Sequence, residues 1–237
     1  VARSVDDPVR DAQINVLGTV AILRASVMAG VRKVIFASSG GTVYGDGGDT
    51  PVREDAPLAP VSPYGVSKVA CEFYLRSFKY QYGLSFIALR LANVYGPRQI
   101  NSGQAGVIPA FIISMLQGKR PIIFGDGHNV RDFVYVDDVV HAHLRATAYS
   151  AEGAYNIGTG KGISIEGLFS LLSEACGYKS GSLHYPPRRG DVRYNVLDPS
   201  RAESDLDWIA RVPLIKGIRG TISWYRSTLE RSGMAEM

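Results

Sequence analysis

At 237 residues with 46% hydrophobic side chains, the chain is long enough for one domain with a sizeable core, or for one and a half. Its net charge of +4 is small and its basic residues are dispersed, which gives no indication of nucleic-acid binding. No apolar run approaches transmembrane length and no signal peptide begins the chain, so we expect no membrane partner and a cytoplasmic location. Cys71 and Cys176 both fall in helical patterns, consistent with unpaired thiols in a reducing compartment.

The first hundred residues alternate helical and strand patterns. In chain order they predict a helix over residues 8–29 closed by Gly30, a buried strand over 34–37, a loop over 46–61, a helix from Pro63 that stops at Gly83, and an apolar strand over 84–91. Ser62 is the expected N-cap of the second helix. This alternation implies parallel strands joined by right-handed crossovers.

Beyond Pro97 the predicted elements are shorter. They are a polar loop over 99–106, a helix over 107–117, strands over 121–124 and 131–136, a helix begun by Asp137, a strand over 155–158, a helix capped by Ser164 that ends near Cys176, an irregular loop over 186–191, a short helix carrying Trp208, and an amphipathic helix over 213–231. We place a domain boundary near residue 97, which divides the chain into 1–97 and 98–237.

Tyr64 and Lys68 lie four residues apart at the start of the second helix, and residues so spaced share one helix face. A phenol with a pKa of about 10 is a poor base at neutral pH. A fixed ammonium and the positive end of the helix dipole both favour the phenolate, so the spacing predicts a lowered pKa for Tyr64. The same spacing is common on solvated helices, and it indicates a proton acceptor only together with its neighbours.

Polar residues follow the strands on either side of this helix. Residues 38–45, SSGGTVYG, follow the first strand, and residues 89–97, LRLANVYGP, carry the second into a polar loop. Ligands of open parallel sheets bind at the carboxyl ends of the strands. We therefore expect both polar segments and the start of the Tyr64 helix to meet at one edge of the sheet.

Four motifs in a fixed order carry a family resemblance: SSGGTVYG, SPYGVSK, LRLANVYGP and, at residues 124–139, FGDGHNVRDFVYVDDV. Together they resemble the extended short-chain dehydrogenase/reductase family, and within it the NAD-dependent UDP-glucose 4-epimerase group. The resemblance runs from about Asp7 to about Trp208. It implies an α/β fold with a Rossmann-like, doubly wound parallel sheet and a smaller C-terminal substrate-binding lobe, with later segments interleaving between the two.

The resemblance implies three catalytic residues. Tyr64 would exchange a proton with the sugar hydroxyl on the carbon that is oxidised, and Lys68 would bind the nicotinamide ribose and lower the pKa of Tyr64. Ser39 is the third, because the double glycine puts Gly40 where the family's hydroxyl residue usually stands. Thr42 is a substrate contact and the second candidate for the hydroxyl role.

The same resemblance implies NAD as the cofactor and three further contacts to it. Asn15 matches an asparagine whose helix packs under the cofactor, unless it is a helix-interior residue that faces a neighbour. Ser38 lies at the strand end, where at least one of the two serines merely terminates the strand. Ala92 stands where a backbone contact to the carboxamide is expected.

For a UDP-hexose substrate, the resemblance implies contacts from both halves of the chain. Asn93 and Arg131 match residues that bind the diphosphate, a role that suits the planar guanidinium. Arg188 and Asp191 match an arginine and an aspartate that hold a phosphate and the uridine ribose, and Phe124 could cover the base. The alternatives are an ion pair between Arg131 and one of the aspartates that follow it, a solvated basic turn, and a core position for Phe124.

The residues before the VYG tyrosine separate the family's reactions. Dehydratases and decarboxylases place a carboxylate there, because their chemistry needs an additional acid or base. Residues 40–42 are Gly, Gly and Thr, which favours a 4-epimerase that oxidises the sugar transiently and returns the hydride. A dehydratase, a sugar-nucleotide reductase or an epimerase acting at another carbon stays open. The histidines lack metal-ligand companions, so no metal is predicted.

The start of the chain departs from the family pattern. No glycine-rich turn precedes a strand, although family members carry such a turn, and the acid that distinguishes NAD from NADP, before this point. We therefore keep a second hypothesis, a non-catalytic fragment that binds sugar nucleotide weakly or only associates with itself. The helices over 8–29 and 63–82 resemble the pair that forms a four-helix dimer interface in the family, which predicts a homodimer.

Overall fold

The computed structural model describes residues 1–46, 48–99, 106–188 and 190–231. Residues 100–105 of the predicted polar loop, and Arg189 of the predicted irregular loop, lie outside these ranges. The N-terminal elements are α1 (Ala2–Asp6), α2 (Pro8–Ala12), a π-helical turn (Gln13–Leu17), α3 (Gly18–Met28), β1 (Lys33–Ser39), α4 (Gly40–Val43), α5 (Pro63–Tyr82), β2 (Ser85–Leu91) and β3 (Asn93–Tyr95).

The second half adds elements of similar length. They are α6 (Val107–Leu116), β4 (Ile122–Phe124), β5 (Val130–Tyr135), α7 (Val136–Ala148), β6 (Gly153–Ile157), β7 (Gly162–Ser164), α8 (Ile165–Cys176), β8 (Leu183–Tyr185), β9 (Tyr194–Asn195), α9 (Ser200–Leu206) and α10 (Leu214–Arg231). The sequence did not predict α1, α4, β3, β7, β8 or β9, which are all five residues or shorter.

Parallel sheets dominate the architecture. β1, β2 and β6 form a three-stranded parallel sheet in that order, so the parallel pairing predicted from the helix–strand alternation is confirmed. In a second sheet, β5 pairs with β3, β7 and β9. Its pairings with β3 and β9 are parallel and its pairing with β7 is antiparallel. β4 and β8 form a separate parallel pair. The α/β fold class is therefore the one that the sequence predicted.

Local signals determine where α5 begins and ends. The Ser62 side chain accepts a hydrogen bond from the Gly65 amide at 3.2 Å, and Pro63 occupies the first helical position, where a missing N–H costs nothing. At the other end Gly83 adopts a φ of 69° and its amide donates to the Lys79 carbonyl at 2.9 Å. The helix that presents Tyr64 is thus fixed at both ends by residues read directly from the sequence.

The predicted helix over residues 8–29 is not continuous. The Asp7 side chain caps α2, and the π-helical turn then interrupts the α-helical pattern before α3 begins. Ile14 and Leu17, which the helical periodicity assigned to an apolar face, are both 62% exposed. These two side chains therefore point away from the core, whereas Leu23 of α3 is 1% exposed and packs into it.

Three hydrophobic clusters hold the elements together. The largest packs Leu89 and Ile157 of the parallel sheet against Trp208, which is fully buried and follows α9 rather than lying within it as predicted. A second joins α6, α8 and α10, and the third packs α3 and α5 against β1 and β2. Because β6 and Trp208 complete the core of the N-terminal sheet, later segments contribute to it; the boundary near residue 97 stays a prediction.

Across the described residues, no helix is both long and apolar enough to traverse a lipid bilayer. Neither cysteine is in a disulfide: Cys71 is buried and Cys176 is partly exposed, and both thiols are free.

Candidate active site

Tyr64 lies where α5 meets the short helix α4. A Cβ atom added at Gly65 would lie 2.6 Å from the Thr42 carbonyl oxygen and 2.9 Å from Cβ of Pro60, so only glycine permits this contact. The Tyr64 amide donates to the Ser4 hydroxyl at 3.1 Å. The glycine after Tyr64 therefore lets the segment bearing Thr42 approach the start of α5.

Lys68 joins Tyr64 to the end of β1. Its Nζ donates to the Ala37 carbonyl at 2.9 Å and lies 5.4 Å from the centre of the Tyr64 ring and 4.7 Å from that of Phe36. Both Tyr64 and Lys68 are partly exposed, and within the described residues no group forms a hydrogen bond with the Tyr64 phenol. The pair thus presents a phenol and an ammonium side by side, with donor capacity left for a ligand.

The predicted lowering of the Tyr64 pKa is wrong for this structure. Burial raises the pKa of Tyr64 above its ordinary value of 10.0, and the charges of Asp11 and Cys71 raise it further. The pKa of Lys68 is lowered, chiefly by burial. Helical spacing brings the ammonium beside the ring, but burial and the neighbouring anions set the direction of the Tyr64 pKa shift.

The strand end supplies the two predicted hydroxyls. Ser39 ends β1, and the Thr42 hydroxyl donates to its carbonyl at 3.3 Å. A Cβ atom at Gly40 would lie 2.4 Å from Cδ1 of Leu197 and 3.0 Å from the Arg90 carbonyl oxygen, so a hydroxyl residue does not fit there. Packing therefore requires Gly40, whereas a Cβ atom at Gly41 would make only ordinary contacts at 3.9 Å. Ser39 and Thr42 stay the candidates for the third catalytic group.

The three further residues predicted to contact NAD have partners within the chain. The Ser38 hydroxyl is buried and donates to Oε1 of Glu72 at 2.6 Å, which argues against a side-chain contact with the cofactor. Asn15 donates to Oδ1 of Asp11 at 2.9 Å, as its neighbour-facing alternative described. The Ala92 amide donates to the Ile157 carbonyl at 2.9 Å, so only its carbonyl is left for a ligand.

The predicted substrate-binding charges are paired with each other. Arg131 forms an ion pair with Asp191, not with the aspartates that follow it in sequence, and Asn129 donates to the same carboxylate at 3.1 Å. The Arg188 guanidinium lies 3.8 Å from the centre of the Phe124 ring. The structure thus brings four predicted residues together in two pairs that the sequence did not predict, one ionic and one between a cation and a ring.

Asn93 lies next to this charged group. Its Nδ2 donates to the Asp132 carbonyl at 3.1 Å, and it sits on β3 opposite Phe133 of β5. The Asp132 carboxylate is fully buried and accepts hydrogen bonds from the Thr159 amide and hydroxyl. Burial raises the pKa of Asp132, although the hydrogen bonds that its carboxylate accepts act to lower it. The role of Asp132 in the chain is structural.

Sequence reasoning missed Asn195, which connects the two parts of the site. On β9 it pairs with Arg131 of β5, and its Nδ2 donates to the Gly40 carbonyl at 3.1 Å. Asn195 is fully buried, and its Oδ1 has no hydrogen-bond partner among the described residues although it lies 3.9 Å from a Cβ position at Gly41. No local pattern marks a two-residue strand, so nothing in the sequence pointed to it.

Residues 1–158 match the NAD dependent epimerase/dehydratase family. The chain belongs to this family. The UDP-glucose 4-epimerase of Mycolicibacterium smegmatis is 45% identical over 228 residues, which cover 96% of this chain and 73% of that protein. The UDP-glucose 4-epimerase of Thermotoga maritima, solved with UDP-glucose, has a TM-score of 0.94 at 45% identity and covers 96% of this chain and 74% of its own. The UDP-glucose 4-epimerase of Thermus thermophilus, complexed with NAD, has a TM-score of 0.89 at 40% identity. The match covers 94% of this chain and 73% of that protein.

Family membership confirms the predicted enzyme class, an NAD-dependent sugar-nucleotide epimerase of the extended short-chain dehydrogenase/reductase type. The donor set of this chain fits NAD, because Lys68 has donors left for ribose hydroxyls beside an unbonded phenol. Among the described residues, no group of three His, Cys, Asp or Glu side chains could hold a metal ion.

Proposed function

We propose that the protein inverts the configuration at C4 of a UDP-hexose by transient oxidation and re-reduction of that carbon. The observation that carries the proposal is the Tyr64–Lys68 pair held against the end of β1, with no carboxylate between Ser39 and Tyr44. When bound, NAD supplies the hydride acceptor that becomes the donor again in the second half of the reaction.

Tyr64 is the proton acceptor and donor in this proposal. Its phenolate takes the C4 hydroxyl proton during oxidation, and the resulting phenol gives the proton back after the keto sugar has turned, so one group serves both half-reactions. Lys68, oriented by the Ala37 carbonyl, holds a positive charge beside the phenolate form of Tyr64. Ser39 positions the sugar oxygen, with Thr42 as the second candidate.

Substrate selection is proposed for the charged group around Arg131. Its guanidinium and that of Arg188 present the donor geometry that binds a diphosphate. Asp191 offers acceptors for the ribose, and Asn93 adds an amide donor near the diphosphate. Phe124 would cover the base when Arg188 moves from its ring to a phosphate.

Three competing functions have weaker support. A dehydratase needs a further acid or base beside the sugar, yet the nearest buried carboxylate on α5, Glu72, is already engaged by Ser38 and Arg90. A chain that only binds sugar nucleotide would retain UDP binding without NAD. A sugar-nucleotide reductase would consume NAD(P)H during turnover.

We further propose a homodimer formed through the surface of α2, the π-helical turn, α3 and α5. Val9, Ile14, Leu17, Ile22 and Phe73 are all more than half exposed on these elements, and a second copy would bury them. A cytoplasmic location is consistent with the two free cysteines. Light scattering at micromolar concentration would contradict the dimer if it gave the monomer mass.

The central test measures retained NAD and interconversion of UDP-glucose and UDP-galactose by the purified protein, with the N-acetyl sugars assayed in parallel. Interconversion without net consumption of NAD supports the proposal. Calorimetry with UDP and with NAD separates the alternatives: UDP binding without NAD binding and without turnover would favour the binding-only function.

A further inference from the structure

Three buried polar residues stand side by side across the parallel sheet. Ser38, Arg90 and Asn156 are register partners on β1, β2 and β6, and they are 3%, 1% and 0% exposed. They lie one residue before the row of Ser39, Leu91 and Ile157 that ends the strands. A charged residue in the centre of a covered sheet is expensive unless its partners are well placed. This polar row therefore calls for an explanation other than core packing.

Glu72 of α5 neutralises the row. Arg90 donates to Oε1 of Glu72 through Nε at 3.0 Å and to Oε2 through Nη2 at 2.7 Å, and Ser38 donates to Oε1 at 2.6 Å. Tyr64, Lys68 and Glu72 are spaced four residues apart and share one face of α5. The ion pair is therefore one helical turn beyond Lys68, on the face that meets the sheet.

The network continues to the segment that carries Thr42. Nη1 of Arg90 donates to the Tyr44 hydroxyl at 2.7 Å, which in turn donates to Oδ1 of Asn156 at 2.7 Å. Burial raises the pKa of Tyr44 to about 12, so the phenol keeps the proton that this second hydrogen bond requires. The carboxylate and guanidinium thus tie together α5, β1, β2, β6 and the turn after α4.

We propose that Glu72 and Arg90 are positioning residues for the reaction. They fix the position of α5 on the sheet, and this position determines the distance from Tyr64 and Lys68 to the hydroxyls after β1. The proposal rests on the proposed epimerase function. Both side chains are buried, which leaves neither of them open to a sugar or a cofactor. Both act through Lys68, which meets the main chain of β1 one residue before Ser38.

The bidentate pair suits this task better than apolar contacts. Hydrophobic packing is non-directional and tolerates small sliding of a helix along a sheet, whereas two parallel N–H···O bonds fix distance and angle together. A shift of about 1 Å at reacting groups can cost a factor of about 100 in rate. Replacing both partners of a buried ion pair by apolar residues often leaves the fold intact. Stability and positioning can therefore be separated by experiment.

The test compares Glu72→Gln, Arg90→Met and the double variant Glu72→Met/Arg90→Met in the NAD-loaded protein. The double variant is expected to melt close to the wild type yet to lose about 10- to 100-fold in kcat, with KM for the UDP-hexose changed less than about threefold. Tyr44→Phe, which removes one hydroxyl and keeps the ring, is expected to lower kcat with the same split. If the double variant and Tyr44→Phe both turn over at the wild-type rate, the pair serves stability alone.

A matched control is the exposed ion pair between Lys79 and Glu152, which also links α5 to the sheet but at the far end. Lys79→Gln/Glu152→Gln is expected to leave kcat unchanged, and an equal loss there would overturn the specific role of Glu72 and Arg90. A second readout does not depend on turnover: the ultraviolet titration of Tyr64, taken as the difference from the matching Tyr64→Phe variant. Loosening α5 admits water, so the raised pKa of Tyr64 should fall in the double variant. No change there would contradict the proposal even if wild-type protein failed as an epimerase.

Discussion

The two parts of the site prepare for a ligand in opposite ways. Beside β1, the Tyr64 phenol has no hydrogen-bond partner among the described residues, and Lys68 keeps donors to spare. Around β5, by contrast, Arg131 is paired with Asp191, and Arg188 covers Phe124. A ligand that reaches the first part adds contacts, whereas one that reaches the second exchanges partners. The groups proposed for catalysis are open to a ligand, whereas the groups proposed for substrate binding satisfy each other.

The largest effect on turnover is expected beside β1, at Tyr64. Tyr64→Phe removes the hydroxyl and keeps the ring, so epimerisation should fall by about 10²- to 10⁴-fold while UDP affinity changes little. Turnover assays and UDP calorimetry on the same preparation measure both. Weaker UDP binding together with normal turnover would place the phenol in recognition rather than in proton transfer.

Ser39 and Thr42 can be ranked within the same region. We expect Ser39→Ala to lower kcat by about 10- to 100-fold, because it removes a hydroxyl beside the reacting oxygen. Thr42→Val should cost less than about fivefold, since the Thr42 hydroxyl already donates to the Ser39 carbonyl. The reverse order of effects would transfer the catalytic role to Thr42.

Around β5, Arg131→Met should weaken UDP binding by about 10- to 100-fold, which is the usual range for a lost hydrogen bond to a charged group. Asp191→Asn is the matched variant, because it frees Arg131 while it keeps an acceptor for the ribose. Calorimetry should therefore show a smaller loss for Asp191→Asn than for Arg131→Met. Equal losses would mean that the ion pair itself builds the site.

The smallest effect is a shift in pH dependence. Asp11 contributes to the raised pKa of Tyr64, so Asp11→Asn should lower that pKa and move the rise of kcat with pH to lower pH. The sign follows because the phenolate is the base and accumulates above its pKa. Asp6→Asn, a charge change of equal size on α1, is the control. A profile that stays in place in Asp11→Asn would show that Asp11 is screened from the phenol.

How far the sequence predicted this molecule depends on the range of each interaction. The start of α5 was readable because Ser62, Pro63 and Gly65 act within four residues of one another. The hydrogen bond between Ser38 and Glu72 was not readable from the sequence, because the two residues are 34 positions apart and the strand around Arg90 is otherwise apolar. The pKa of Tyr64 was predicted with the wrong sign because spacing reports which charge is near, whereas burial depends on everything packed around the phenol.

The substrate side shows the same limit. Phe124, Arg131, Arg188 and Asp191 were identified from motifs, and the structure brings them together in pairs. The sequence did not show which of these residues would pair. Arg131 forms its ion pair with Asp191, which is 60 residues away, and not with the aspartates that follow it in sequence. Their binding roles stay predictions until the variants above are measured.

The π-helical turn over Gln13–Leu17 has its own consequence for this geometry. Such a turn holds one residue more than a plain α-helix, which rotates everything before it by about 100° around the axis. That rotation aims Asp11 at α5, where its Oδ2 accepts from Ser67 at 2.7 Å. Deleting a single residue from this turn would straighten the helix, swing the carboxylate to another side and release the tyrosine from the anion that now opposes its ionisation.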